Sequence, residues 1–266
     1  MGVETKRIAE WEFFMSGVKR RVIDGARNTL RENGIYEPAF RAWAGGKARA
    51  RSLRHIDELA IEAYLAQTDE PRLAIVDAFA GEHAGWLCAA ANPKVRDVVC
   101  LRSGIQLPSP DAAFGVIYIE HSLELRSVAR GELLLRECYR LLKPGGFLRV
   151  STMNLAFVLD LLRTSDDERI GQYMKYCHET FPEYVAEPRA EYLVNSLFRD
   201  YGHKFLYSEA MVHDVLAVAG FTGVTTRSAD TSSREDLQHL HHGRDIRSDI
   251  LEVEGLFVEA TRPPAS

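Results

Sequence analysis

The sequence predicts an α/β fold: a doubly wound, Rossmann-like sheet preceded by an N-terminal helical extension. Three observations point to it. From Arg72 onward, short apolar runs alternate with amphipathic stretches, as in a parallel sheet joined by crossover helices. The segment "AAFGVIYIEH" is apolar almost throughout, with Phe114, Val116, Ile117, Tyr118 and Ile119, as a strand covered on both faces must be. Two late strand-like segments, "FTGVTTRSA" and "ILEVEGLFVEATRP", suit an antiparallel pair at the sheet edge.

Taken in order, residues 4–33 have helical spacing, with Trp11, Met15, Val18 and Val22 on one stripe and Asn33-Gly34 as a stop. "YEPAF" and "WAGGKARARS" read as loops, and "LRHIDELAIEAYLAQTDE" restores a helix until Pro71. Residues 1–70 are therefore a helical extension, a lid or an oligomer contact, and 71–266 the α/β domain. Within it "RLAIVDAF" and "VRDVVCL" are buried strands, followed by the strand through Tyr118. The helix "ARGELLLRECYRLL" is expected to turn Leu133, Leu134, Cys138, Leu141 and Leu142 inward, and "KPGG" stops it. "FLRVSTM" is the next strand; "AFVLDLLRT", "ERIGQYMKYCHETF" and "SEAMVHDVLAVAG" are helices.

Composition sets the outer limits. The chain has 266 residues, enough for one large α/β domain with an appendage, and a formal charge of −5. Met1–Ile56 holds twelve Lys/Arg against six Asp/Glu, which leaves −11 on the remainder. The cluster Arg41, Lys47, Arg49, Arg51 and Arg54 is either a solvated basic face or a landing site for an acidic partner. Overall acidity speaks against dedicated nucleic-acid binding. No apolar run approaches the ~18 residues of a membrane span, and the start lacks the apolar core of a signal peptide. Cys88, Cys100, Cys138 and Cys177 have no metal-like spacing, so reduced thiols in a cytoplasm are expected. "HLHHG", His239 to Gly243, lacks nearby acidic or cysteine partners and reads as a surface helix end, not a metal cluster.

The ordered set "FGVIYIEHSLE", "RECYRLLKPGGFLRV", "NSLFRDYGHKFLYS", Val215–Phe221 and "LFVEATRP" resembles class I S-adenosylmethionine-dependent methyltransferases. Within them it is similar to a short bacterial subgroup often associated with surface-glycan genes. The resemblance covers roughly residues 72–263 and implies a methyltransferase sheet with a cofactor pocket at its strand ends. In such proteins the first strand runs into a Gly-x-Gly turn, the second ends in a ribose-binding acid and the third in an adenine-contacting aspartate. Anchored on Gly85-Trp86, those positions fall on Val76-Asp77-Ala78, on Ala90 and on Arg102, and all three features are substituted.

Each substitution has a physical cost. A β-branched valine resists positive φ by about 1–2 kcal/mol, and its methyls take ligand space. Ala90 has no acceptor for ribose hydroxyls, a loss of about 1.5–3 kcal/mol per charged hydrogen bond. Arg102 has only donors, set beside a cofactor that is itself a sulfonium. Together these approach the ~7–8 kcal/mol of a micromolar ligand. Asp77 is either a displaced acidic clamp or a residue that caps the turn, and Arg102 either holds an anion or forms a surface ion pair.

The presumed substrate half is better kept. Glu120 and His121 end the third of these strands at its carboxyl edge, where open α/β sheets place ligands. Asn195, Arg199, His203 and Tyr207 match the family's spacing, and Arg199 and His203, four apart, would share a face on a helix. His121, His203 and Glu120 are the candidate catalytic groups, with Tyr118, Asn195, Arg199 and Tyr207 orienting a substrate. The plainer alternative is that each histidine only bonds a backbone carbonyl.

Three functions are compatible with these residues. One is a methyltransferase-fold protein without methyl transfer, a regulatory or partner subunit of a homo-oligomer or of an active paralogue, with no cofactor expected. Another is an active S-adenosylmethionine-dependent methyltransferase of a small molecule or glycan with an atypical pocket. The last is a cofactor-independent isomerase, cyclase or lyase that uses the retained substrate pocket.

Overall fold

The computed structural model describes residues 55–77, 83–93, 97–163, 167–181, 185–238, 240 and 248–265. The helix expected over 4–33, the basic segment 41–54, Ala78 and the histidines of "HLHHG" lie outside them. Asp57–Ser266 forms one compact unit. A helix over 55–65 (α1) sets Ile61, 1% exposed, into the main core.

The strands are β1 (Arg72–Ile75), β2 (Leu87–Ala90), β3 (Val98–Cys100), β4 (Phe114–Glu120), β5 (Leu142–Met153), β6 (Thr222–Arg227) and β7 (Gly255–Thr261). They form one seven-stranded sheet in the order β3-β2-β1-β4-β5-β7-β6. β1 to β5 run parallel, and β7 lies antiparallel between β5 and β6, the late antiparallel edge the sequence predicts. The strand order reverses between β1 and β4, so their carboxyl ends open the crevice where ligands of such sheets bind.

The helices follow from their apolar stripes. In α2 (Val128–Leu141) the buried residues are Gly131, Leu134, Leu135, Glu137, Cys138 and Leu141, a spacing of three and four. Leu133, expected inside, is 52% exposed because it falls off that stripe, and Leu135 takes the inner position. α3 (Leu155–Leu161), α4 (Glu168–Thr180) and α5 (Ala190–Arg199) surround a second core containing Phe157, Tyr173, Leu193 and Leu197. α6 (Glu209–Val218) starts at Ser208, whose hydroxyl accepts from the Met211 N–H, and ends at Gly220 with φ +98°.

Two expectations are corrected. Strand was expected from Ile250 onward, but Ser248–Glu254 is a helix (α7), and β7 begins only at Gly255. The junction depends on that glycine, since a Cβ there would stand 2.6 Å from the Leu251 carbonyl oxygen. Arg199 and His203 do not share a helix face, because α5 ends at Arg199 and the chain turns through Gly202 at φ +78°.

One buried ion pair ties the sheet's antiparallel edge together. Arg149 on β5 faces Glu259 on β7, the two bonded at 2.7 Å with 0% and 3% of their side chains exposed. Arg149 also donates to the carbonyls of Thr231 and Ala229, so it pins the loop after β6.

Candidate functional site

At the ends of β1, β2 and β3 the described residues form a closed, self-satisfied network. Val76 continues β1 with its N–H on the Ala89 carbonyl at 2.9 Å and is 2% exposed. It is not among the described non-glycine residues with positive φ, so the chain does not make the tight glycine turn at this point. Ala90 is 5% exposed and packs with Val76, Cys88 and Val98.

Asp77 is paired among the described residues. Its N–H donates to Ser122 Oγ at 2.9 Å, and one carboxylate oxygen accepts from the Ala91 N–H just past β2. The other oxygen meets Arg126 Nη2 at 2.5 Å, with side-chain exposures of 8% and 6%. Arg126 donates further to the Gly104 carbonyl at 3.0 Å and to the Ser122 carbonyl. A buried guanidinium with a carboxylate and two carbonyls around it has most of its hydrogen-bond fork occupied from within the protein. Sequence reasoning missed Arg126, and no local signal marks it, since its partner lies 49 residues away. Arg102 pairs with Glu58, both side chains about two-fifths exposed (38% and 42%), which is the surface-pair alternative.

The carboxyl ends of β4 and β5 are different in kind. Glu120, 3% exposed, bonds His83 Nε2 at 2.9 Å, and the His83 ring lies edge-on to Tyr118. Tyr118 is fully buried with its hydroxyl on Ser151 Oγ at 2.9 Å. His121 leaves the strand at φ +43°, a conformation uncommon for a residue with a side chain. Its N–H donates to the Ser151 carbonyl at 3.0 Å and its Nδ1 bonds Glu124 Oε1 at 2.9 Å.

Glu124 is the centre of this half. It is 0% exposed. Its carboxylate also accepts from Thr152 Oγ1 at 2.9 Å and from the Met153 N–H at 3.2 Å. The 203–207 segment crosses directly over it: Lys204 and Phe205 donate their N–H groups to the Glu124 carbonyl at 2.8 and 3.2 Å. Farther along, the Tyr207 carbonyl accepts from the Leu155 N–H at 2.9 Å. His203 and Tyr207 are thereby brought to the same strand ends as His121.

Both carry an unsatisfied polar atom. His203 Nδ1 and the Tyr207 hydroxyl are buried without a hydrogen-bond partner among the described residues. Such atoms are rare in native proteins, and each calls for an explanation. Asn195 and Arg199, by contrast, lie exposed on α5, with Asn195 Nδ2 on the Glu191 carbonyl at 2.8 Å. The structure thus divides the sequence signature into an inner pair, His203 and Tyr207, and an outer pair.

Electrostatics separate the two histidines. Burial alone would depress the His121 pKa, but the Glu124 hydrogen bond and the charges of Glu124, Glu254 and Glu120 prevail and raise it. Burial lowers His203, Glu124 offsets part of that, and the charge on His121 adds to it. Burial would raise Glu124; the His121 hydrogen bond and the His121 and His203 charges hold it below the usual carboxylate value. Burial, with the charges of Glu124 and Glu132, pushes Tyr207 up to about 12. Divergent shifts around one carboxylate are the arrangement that lets one group give a proton and another take one.

Among the described residues no group of three or more His, Cys, Asp and Glu is placed to hold a metal ion, and no helix is long and apolar enough to cross a membrane. No curated protein matches the chain. Among solved structures, a methyltransferase of Thermotoga maritima described as a possible histamine N-methyltransferase is 16% identical; the match covers 84% of this chain and 97% of that one at a TM-score of 0.38. A methyltransferase of Mesorhizobium loti is 16% identical over 76% of this chain and 96% of its own, TM-score 0.39. The [4+2]-cyclase SpnF is 16% identical over 80% and 81%, TM-score 0.40. The family model described as a methyltransferase domain matches residues 64–150, which run from α1 through β1–β4 and α2 into β5. Over that segment the chain is similar to a methyltransferase domain.

Proposed function

We propose that this methyltransferase-fold chain does not transfer methyl groups from S-adenosylmethionine. The observation that carries the reading is the Arg126–Asp77 pair, 2.5 Å apart and almost fully buried at the ends of β1 and β2. The residues present do not fit the adenosyl group. Its ribose needs an acceptor where Ala90 offers none, and the carboxylate bonded to the Ala91 N–H is committed to Arg126. To reach it, the cofactor would have to break a buried ion pair, which costs about 3–5 kcal/mol when one charge is left alone. In this reading the chain is a pseudoenzyme, a binding or regulatory subunit that works as a homo-oligomer or beside an active methyltransferase. Calorimetric titration with S-adenosylmethionine and S-adenosylhomocysteine tests it. No binding heat at several hundred micromolar ligand, roughly 5 kcal/mol or weaker, is expected. Micromolar binding would instead establish the active methyltransferase with an atypical pocket, acting on a small molecule or glycan.

A second reading is favoured by a specific observation, the His121–Glu124 bond at 2.9 Å beside His203 and Tyr207 with their unpartnered polar atoms. It is a cofactor-independent isomerase, cyclase or lyase in which the two histidines move protons on a small molecule. His121→Ala and His203→Ala then each abolish the step that the wild-type chain supports while circular dichroism still shows a folded chain. If both variants keep the activity, the chemistry lies elsewhere.

A further inference from the structure

We propose that Glu124 is the positioning residue of a two-histidine site: it fixes His121 through Nδ1, so that Nε2 is the working nitrogen, and leaves the unbonded His203 beside it as the second proton-handling group. The inference rests on the acid–base reading of this half of the crevice. The matching ligand is a small molecule that presents an accepting oxygen to His121 next to a removable proton for His203.

The geometry assigns every lone-pair direction that matters. Glu124 has no solvent contact, and its two oxygens are taken by His121 Nδ1, the Met153 N–H and Thr152 Oγ1. A buried carboxylate with three donors stays ionised and cannot rotate. Its partner imidazole therefore has one nitrogen fixed and one left over, the arrangement by which a carboxylate sets the tautomer and direction of a working histidine. The positive φ of His121 is the backbone counterpart, held by the Ser151 carbonyl on one side and Glu124 on the other. The N–H groups of Lys204 and Phe205 on the Glu124 backbone carbonyl bring His203 alongside, with its Nδ1 unbonded among the described residues. Glu124 thus holds one imidazole through its carboxylate and the segment of the other through its backbone carbonyl.

The charges acting on the two rings agree with that difference. His121 is under the influence of Glu124, Glu254 and Glu120, and His203 under that of Glu124 and His121. The first set favours an imidazolium and the second, with burial, a neutral ring.

The test is a ring-proton and ring-nitrogen NMR titration of the full-length protein, with resonances assigned through His121→Asn and His203→Asn. In the wild type, His121 is expected to titrate above 6.5 with Nδ1 protonated and hydrogen-bonded, and His203 below 6.5. E124Q keeps the length of the side chain and an acceptor for Thr152 or Met153 but removes the charge. The His121 midpoint should then fall by about 1–3 units, as expected for loss of an opposite charge in contact. E124D should restore part of the shift. An unchanged His121 midpoint in E124Q, or two histidines that titrate together in the wild type, overturns the proposal. If E124Q does not fold, the wild-type midpoints and the His121 tautomer decide alone. No substrate enters this measurement, so the positioning role and the acid–base reading can fail separately.

Discussion

The Arg126–Asp77 pair gives the sharpest quantitative expectation. Asp77→Ala removes the only carboxylate bonded to Arg126 among the described residues and leaves its guanidinium, 6% exposed, facing the carbonyls of Gly104 and Ser122. Stranding a buried charge in this way costs about 3–5 kcal/mol. For a unit of this size each kcal/mol moves the midpoint by about 2–4 °C, so the melting temperature should fall by about 6–20 °C. Replacing both partners, Asp77→Ala with Arg126→Met, deletes the stranded charge and should recover part of that loss. Differential scanning fluorimetry or urea unfolding of the four-member cycle measures the coupling, expected at about 0.5–3 kcal/mol. A single Asp77→Ala variant that melts within about 2 °C of wild type, less than 1 kcal/mol at this size, would refute the reasoning. So would a double variant no more stable than the single one. In either case the pair would be incidental, and the argument that it closes the adenosyl position would go with it.

The remaining expectations use the same reasoning elsewhere in the molecule. Glu259→Ala, which strands the fully buried Arg149, should cost about 3–5 kcal/mol by urea unfolding, and Arg149→Met with Glu259→Leu considerably less. Burial would raise the Glu259 pKa, but bonds from Ser232 and Ser233 and the Arg149 charge hold it below 4.5. Its contribution is therefore complete above 4.5 and lost as the pH falls through the folded value, so an Ala variant should show a shallower acid decline. The two histidines should act in opposite senses between about pH 5 and pH 8. His121, raised in the fold, contributes stability below 6.5 that disappears as the pH rises through its folded value. His203, lowered, contributes above 6.5 and is lost as the pH falls through its folded value, so His203→Asn should flatten the acid side of the stability profile and His121→Asn the alkaline side. A Cβ on Gly131 would stand 2.6 Å from the Tyr207 hydroxyl and 3.2 Å from Leu123 Cδ1. Gly131→Ala should therefore cost about 1–3 kcal/mol by overpacking. Adding Tyr207→Phe, which removes a buried hydroxyl without a partner among the described residues, should return part of it; no recovery in thermal melts would place the clash elsewhere.

Local pattern made most of the sheet legible. β4 shows as an apolar run because both its faces are covered, and α2 shows as a helix because its buried residues recur every three or four positions. Where a few residues carried both signals, sequence reasoning slipped. Ile250 and Leu251 are apolar neighbours that a strand or a helix end can bury equally well, and the fold buries them in a helix that ends just before Gly255, where a Cβ has no room. Leu133 is expected inside with its neighbours, and only the stripe that the fold buries excludes it.

The site follows the same division. The sequence by itself determined the chemical vocabulary: no acceptor at Ala90, a cation at Arg102, histidines at 121 and 203, and a strand edge to present them. Only the tertiary structure decided the pairings. It gave Asp77 to Arg126 across 49 positions, Thr152 to Glu124 across 28, and turned Asn195 and Arg199 outward while His203 and Tyr207 went in. The reason is physical. Backbone periodicity is set by neighbours a few bonds away and is written in local sequence, whereas a buried charge takes whichever partner the packed strands bring within 3 Å, and that distance exists only after folding.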